Sequence, residues 1–170
     1  MKALEVLGVR VELPASQPVV LLKEVDGTRY LPIWIGAVEA SAIAFQQQGV
    51  TSARPLTHDL LRDVIDALGS PLQAVRITEI RDEVFYAELV FAGGVVVSAR
   101  PSDAIALALR ADTPIYAAET VLDEAGVPVP DDIGAHVPEA AADAEGEVEA
   151  FREFLDTISP EDFAAGGGDR

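Results

Sequence analysis

Two short runs of this 170-residue chain bring arginine, proline and a carboxylate to what should be helix entrances: Arg54-Pro55-Leu56-Thr57-His58-Asp59 and Arg100-Pro101-Ser102-Asp103. An arginine fork can hold a phosphate through two parallel N–H groups, and the free N–H groups of a helix's first turn also receive anions. Histidine is the side chain suited to proton transfer near neutral pH. These types together fit phosphodiester hydrolysis, which needs an activated water, stabilised phosphoryl oxygens and a protonated leaving oxygen. In that division of labour His58, Asp59 and Asp103 are the catalytic candidates, and Arg54 and Arg100 orient phosphate. Asp59 and Asp103 would hold a hard divalent ion, Mg²⁺ or Mn²⁺. Glu39, Arg62 and Ser102 are candidate supporting groups. No organic cofactor is expected, because the chain has no phosphate loop, no dinucleotide-binding fingerprint and no H-E-x-x-H zinc motif.

Each of these residues also has a structural explanation. Asp103 can complement the positive end of its helix and pair with Arg100 or Arg54. Thr57 is suited to be an N-cap, with Asp59 favouring the same helix end. His58 and Asp59 are adjacent, so on a helix they diverge by about 100 degrees and need not serve one centre. Arg62 has Asp66 one turn away, enough for a solvated ion pair. The interval between Asp59 and Asp103 matches no diagnostic metal-ligand spacing. Trp34 lies among apolar neighbours and reads as a core or interface residue rather than a platform for base stacking.

The elements that must position these groups follow from periodicity and punctuation. Residues 4–13, 19–25 and 30–35 read as strands, with Asp26-Gly27 as the hairpin signal between the last two. Helices are expected over 37–48, capped by Gly49, and over 57–68, ended by Gly69 and Pro71. The order then returns: strands at 72–80, 84–91 and 95–99, a helix over 102–110 led by Pro101, a short extended piece at 115–117 and a helix at 119–125. This predicts an α+β fold of two strand-strand-strand-helix-helix units sharing a mixed-sheet core. A shift of 64 positions maps Glu39-Ala40 onto Asp103-Ala104, which supports a duplication. Residues 104–109 hold no polar side chain, so that helix must be buried in the core or against a second subunit, and a homo-oligomer, a dimer first, is the expected assembly.

The net charge is −17, with 49% hydrophobic residues and no cysteine, which removes disulfides, thiolate nucleophiles and cysteine-held metals. Residues 1–130 carry 17 acidic and 10 basic side chains, a net −7, while residues 131–170 carry 12 and 2, a net −10. Such a field opposes non-specific duplex binding, which requires phosphate neutralisation by Lys and Arg. Nothing in the chain reads as a secretory signal or a membrane span, so a cytoplasmic protein with no membrane partner is expected. Three regions are predicted: a domain over 1–130, an acidic flexible linker over 131–147 and an amphipathic helix over 148–163 carried by Val148, Phe151, Leu155 and Ile158.

The ordered set Leu31-Pro32-Ile33-Trp34-Ile35-Gly36 with Glu39-Ala40, then Arg54 to Leu61, then Ala99-Arg100-Pro101-Ser102-Asp103-Ala104-Ile105-Ala106-Leu107-Ala108 closely resembles the bifunctional nuclease domain family. The resemblance covers residues 1 to about 130. It implies a duplicated, mixed α+β domain, usually oligomeric, and the family's name implies activity on RNA and DNA. One position departs: Ser98 stands where the family pattern commonly has aspartate, and serine is a weaker ligand for a hard metal. Two other functions fit the same residues. One is a non-enzymatic oligomeric regulator or protein-binding scaffold; the other is a sensor of a small anionic metabolite that uses the arginines without a catalytic water.

Overall fold

Alternation decides which side chains turn inward. Along the second strand Val20 and Leu22 bury completely while Leu21 and Lys23 stay partly open, and their register partners Ile33 and Leu31 are buried on the same face. The computed structural model describes residues 1–12 and 17–128, so the expected linker and the amphipathic helix over 148–163 lie outside the described residues. In chain order the elements are β1 (Lys2–Glu12), β2 (Gln17–Glu24), β3 (Arg29–Trp34), α1 (Ala37–Gln47), α2 (Thr57–Ala67), β4 (Leu72–Arg81), β5 (Val84–Phe91), β6 (Val96–Ala99), α3 (Pro101–Ala111), β7 (Ile115–Ala117), α4 (Glu119–Ala125) and β8 (Val127–Pro128).

The eight strands of the described residues form one mixed sheet in the order β6-β5-β4-β7-β1-β2-β3-β8. The fold is α+β, as expected. The two meanders, β1-β2-β3 and β4-β5-β6, flank the three-residue β7, which runs antiparallel to β1 and parallel to β4. Every other neighbouring pair is antiparallel.

Helix α3 lies against β4 and β5 and is covered by α1 and α2. Its run Ala104-Ile105-Ala106-Leu107-Ala108 is sealed from solvent within the one chain. A second subunit is therefore not needed to bury it, and that argument for an oligomer falls away. Small alanines allow the close approach of the neighbouring helices, while Ile105 and Leu107 fill the core with Ile43, Val75, Ile77 and Leu89. Helix α2 behaves differently. Its stripe of Leu60, Leu61, Val64 and Leu68 remains exposed, and no residue of the helix is fully buried.

At the opposite end of the core, Arg29 donates to Glu24 on the adjacent strand and to Glu119 and Asp123 of α4. This pins α4 to the β2–β3 hairpin. The Arg29 hydrogen bond, the largest influence, holds the buried Glu24 carboxyl below its usual pKa.

Pro101 occupies the first position of α3, where its missing N–H costs nothing. The helix ends at Asp112, which is left-handed (φ 48°, ψ 47°) and exposed, its N–H donating to the Ala108 carbonyl. A non-glycine residue is strained there, and a negative charge opposes the helix dipole. Asp112→Gly should therefore stabilise the fold by about 0.5–1 kcal/mol after the entropy of glycine is subtracted, read as a raised urea midpoint at unchanged slope.

Candidate functional site

Three helices share one local device: each has a carboxylate at its third residue, Glu39 in α1, Asp59 in α2 and Asp103 in α3. An acid there meets the positive end of the helix dipole. In α2 Asp59 also reaches back to accept the Leu56 backbone N–H at 2.9 Å. Leu56 is the N-cap residue and has no side-chain acceptor, so the reciprocal half of a capping box is missing. Thr57, expected as the cap, is instead already inside the helix.

In α1 and α3 the carboxylates turn to a shared arginine. Arg100 donates from Nε to Asp103 Oδ2 at 2.7 Å and from Nη2 to Glu39 Oε1 at 2.8 Å. On the other oxygen of Asp103, Oδ1, His58 Nε2 sits at 3.1 Å. The structure thus joins four residues from three helices into one bonded chain, His58–Asp103–Arg100–Glu39. Arg100 is the most open member, with 65% of its side chain exposed, and His58 is the most enclosed. Arg100 Nη1 and His58 Nδ1 have no protein partner among the described residues.

Burial is the largest influence on Asp103 and pushes its pKa up. The hydrogen bonds from Arg100 and His58, together with their charges, outweigh it and hold the carboxyl below its ordinary value. The group is an anion throughout the neutral range. An anionic acceptor at Nε2 favours the tautomer with the proton on that nitrogen, which leaves Nδ1 as the basic one.

Asp59 is not part of this chain. Its Oδ1 accepts from Nε of Arg110, whose side chain is only 2% exposed. The same guanidinium donates to the Ala106 carbonyl at 2.9 Å and the Ala42 carbonyl at 3.0 Å, so one arginine ties α1, α2 and α3 together. Burial raises the Asp59 pKa most strongly, but the bonds from Arg110 and Leu56 outweigh it and the net direction is down. Neighbours on α2, His58 and Asp59 diverge as adjacent helical residues must, one to each of two points on α3 roughly 10 Å of helix apart.

Arg110 is the residue sequence reasoning missed. Its signal was available: it ends a run of six apolar residues and falls on the helix face of Asp103 and Ala106, the side that another element had to cover. Arg54 is exposed and has no side-chain partner among the described residues. Arg62 pairs with Asp63 at 2.6 Å rather than with Asp66, and is tied to the solvated side of α2. Ser102 is buried at the second position of α3. Ser98, where the family pattern has an acid, is exposed on β6 opposite Glu88, while its neighbour Ala99 turns to the core, so the bonded chain does not include it. Trp34 is half exposed, so of the two expected places, core or interface, the core is ruled out.

A hard divalent ion needs several oxygens on one centre. Asp59 and Asp103 do not fit that requirement as placed: each carboxylate has both oxygens engaged by an arginine, a histidine or a backbone N–H, and they belong to different arginines. Among the described residues no group of three or more His, Asp or Glu is arranged to hold a metal.

Gly36 precedes α1 directly below Glu39. Its backbone (φ −72°, ψ 156°) suits any residue, but a Cβ there would stand 2.3 Å from Glu39 Oε2. Gly36→Ala should push that flexible carboxylate off Arg100 at a stability cost within about 0.5 kcal/mol. If the bonded chain performs chemistry, the loosened Arg100 should lower turnover about tenfold to a hundredfold, measured beside an unchanged unfolding curve.

Comparison with known proteins gives a family and relatives. The bifunctional nuclease domain model matches residues 20–130. An uncharacterized protein of Mycobacterium tuberculosis strain H37Rv is 54% identical over 165 residues, which is 97% of this chain and 99% of that protein. Bifunctional nuclease 1 of Arabidopsis thaliana is 32% identical over 108 residues, 59% of this chain and 33% of the plant protein. Bifunctional nuclease 2 of Oryza sativa subsp. japonica is 31% identical over the same shares.

Proposed function

Because the chain belongs to the bifunctional nuclease domain family, we propose that it hydrolyses phosphodiester bonds in RNA or single-stranded DNA, in the cytoplasm, at the His58–Asp103–Arg100–Glu39 chain. The observation that carries this reading is the hydrogen bond between His58 and an ionised Asp103 whose other oxygen is fixed by Arg100. Asp103 holds the imidazole with Nδ1 basic. Water approaching phosphorus gives its proton to His58, the bond between phosphorus and the leaving oxygen breaks, and the imidazolium returns a proton to that oxygen. The remaining N–H groups of Arg100 meet the charge on the phosphoryl oxygens, and Arg54, exposed and without a side-chain partner among the described residues, is the candidate second arginine. Glu39 sets the angle of the Arg100 fork by holding one end of it.

Every step here is performed by side chains of the chain itself. A cation such as Mg²⁺ or Mn²⁺ at Asp103 would have to displace Arg100 or His58. The test is cleavage of dye-labelled RNA and single-stranded DNA by folded protein, in Mg²⁺, in Mn²⁺ and in chelator. Cleavage that disappears in His58→Gln supports the proposal; no cleavage in any of the three conditions overturns it.

The exposed apolar stripe of α2 favours a second reading, an oligomeric scaffold without catalysis. Under that reading the protein self-associates through Leu60, Leu61 and Val64, and neither assembly nor partner binding changes in Arg100→Ala or Asp103→Asn. No helix among the described residues is long and apolar enough to cross a membrane.

A further inference from the structure

Beside Arg100 the surface opens into a cavity of about 400 Å³ lined by Trp34, Gly36, Glu83, Phe85, Arg100 and Ser102. A second hollow of about 440 Å³ shares Trp34, Glu83 and Phe85 with the first and ends at Glu124. The two adjoin through Gln17, Trp34, Glu83 and Phe85 and make one groove, with Arg100 bordering only the first hollow and Glu124 only the second. Resting on the hydrolytic reading above, we propose that this groove takes an unpaired nucleobase of the single-stranded substrate whose phosphate lies at Arg100, with Trp34 as the stacking surface.

Trp34 carries the argument. Strand alternation turns Leu31 and Ile33 fully inward and leaves Trp34 at 53% exposed, although its sequence neighbours are among the most apolar in the chain. A tryptophan left half open along a groove is a large planar surface, and every nucleobase has a π-face to set against it. Phe85, half-buried at the start of β5, supplies a second ring.

The charges along the groove choose among ligands. A phosphate is favoured at Arg100, which borders only the first hollow, and repelled by Glu83, which borders both, and by Glu124, which borders only the second. Those carboxylates accept only, so they suit the amino and imino N–H groups on a base edge. A molecule that is anionic at one end and planar with N–H donors at the other is a nucleotide unit. An acidic peptide fits the first end and is repelled by the second. A base inside a duplex cannot enter, because its faces are already stacked, so the groove would select single strands.

Trp34 is the only tryptophan in the chain, which makes its fluorescence a direct report. The probe is a five-nucleotide oligodeoxycytidylate carrying a dye, compared with an abasic phosphodiester of the same length, using full-length protein. The expected result is quenching of Trp34 by the oligonucleotide and not by the abasic strand, with about tenfold weaker binding of the abasic strand by anisotropy. Trp34→Ala should weaken the oligonucleotide by a similar factor and leave the abasic strand unchanged, while Trp34→Phe retains most of the affinity and shows that loss of folding is not the cause. Equal binding of the two probes, or a Trp34→Ala protein that binds the oligonucleotide as the parent does, overturns the inference. The two proposals separate cleanly. Base-dependent quenching without cleavage keeps the groove and removes the hydrolysis, whereas cleavage that depends on His58 but not on Trp34 does the reverse.

Discussion

Asp103→Asn should lower the rate of strand cleavage by about 10²–10⁴-fold while the protein keeps its fold. The substitution preserves shape but replaces an acceptor with a group that can donate. An amide N–H aimed at His58 Nε2 stabilises the opposite tautomer, with the proton on Nδ1, and the basic nitrogen is lost. The neighbouring bond to Arg100 also weakens from charge-assisted to neutral. Its effect on stability stays small, under about 1 kcal/mol, because Arg100 is open to solvent and the amide keeps Asp103's shape and place. Single-turnover cleavage of a labelled strand beside a urea unfolding curve checks both halves. A parent-like rate removes Asp103 from the chemistry, and a lost unfolding transition assigns it to structure.

The largest effect on stability is expected at Asp59. Asp59→Ala should destabilise the protein by about 2–4 kcal/mol, since it leaves the guanidinium of Arg110 buried without its counter-charge. Asp59 is itself 24% exposed, so the value falls below that of a fully enclosed pair. The double replacement Asp59→Leu with Arg110→Met should recover most of the loss, because an apolar pair of similar size leaves no orphaned charge.

The pH dependence has a definite sign. The folded pKa of Asp59 is lower than its unfolded value, so its contribution is complete above the ordinary carboxylate value of about 3.9 and disappears as pH falls through the lower folded value. The stability gap between parent and Asp59→Ala should be constant from pH 7 to 5 and close below about pH 4. A gap that persists undiminished in acid excludes the ion pair as its origin.

Much of the fold could be read before any coordinates because local signals agreed. Asp26-Gly27 sets the β2–β3 hairpin, Pro101 opens α3 and glycines close α1 and α2, so the elements fall within one or two residues of expectation. The sealed stretch of α3 was equally plain from its lack of polar groups. What escaped was decided by distant partners. β7 has three residues and no periodicity of its own, and its place between β1 and β4 depends on both meanders. β8 is shorter still. Arg110 looked like a helix end, since nothing near it in sequence announces Asp59. The arginines and acids of the two helix entrances were visible as types, but the sorting of His58 to Arg100's partner and of Asp59 to Arg110 depends on how α2 lies across α3.

The position of β7 also bears on how the chain reaches its native state. Among the described residues, 115–117 form the strand that joins the two halves of the sheet, and they are made after both meanders. Until they emerge from the ribosome, β1 and β4 each present an unpaired edge, the kind that templates intermolecular pairing. Joining Lys2 to Ala117 then closes a loop of nearly the whole domain, a late and entropically costly contact. The seam at β7 is accordingly where synthesis in crowded conditions leaves this domain most open to aggregation.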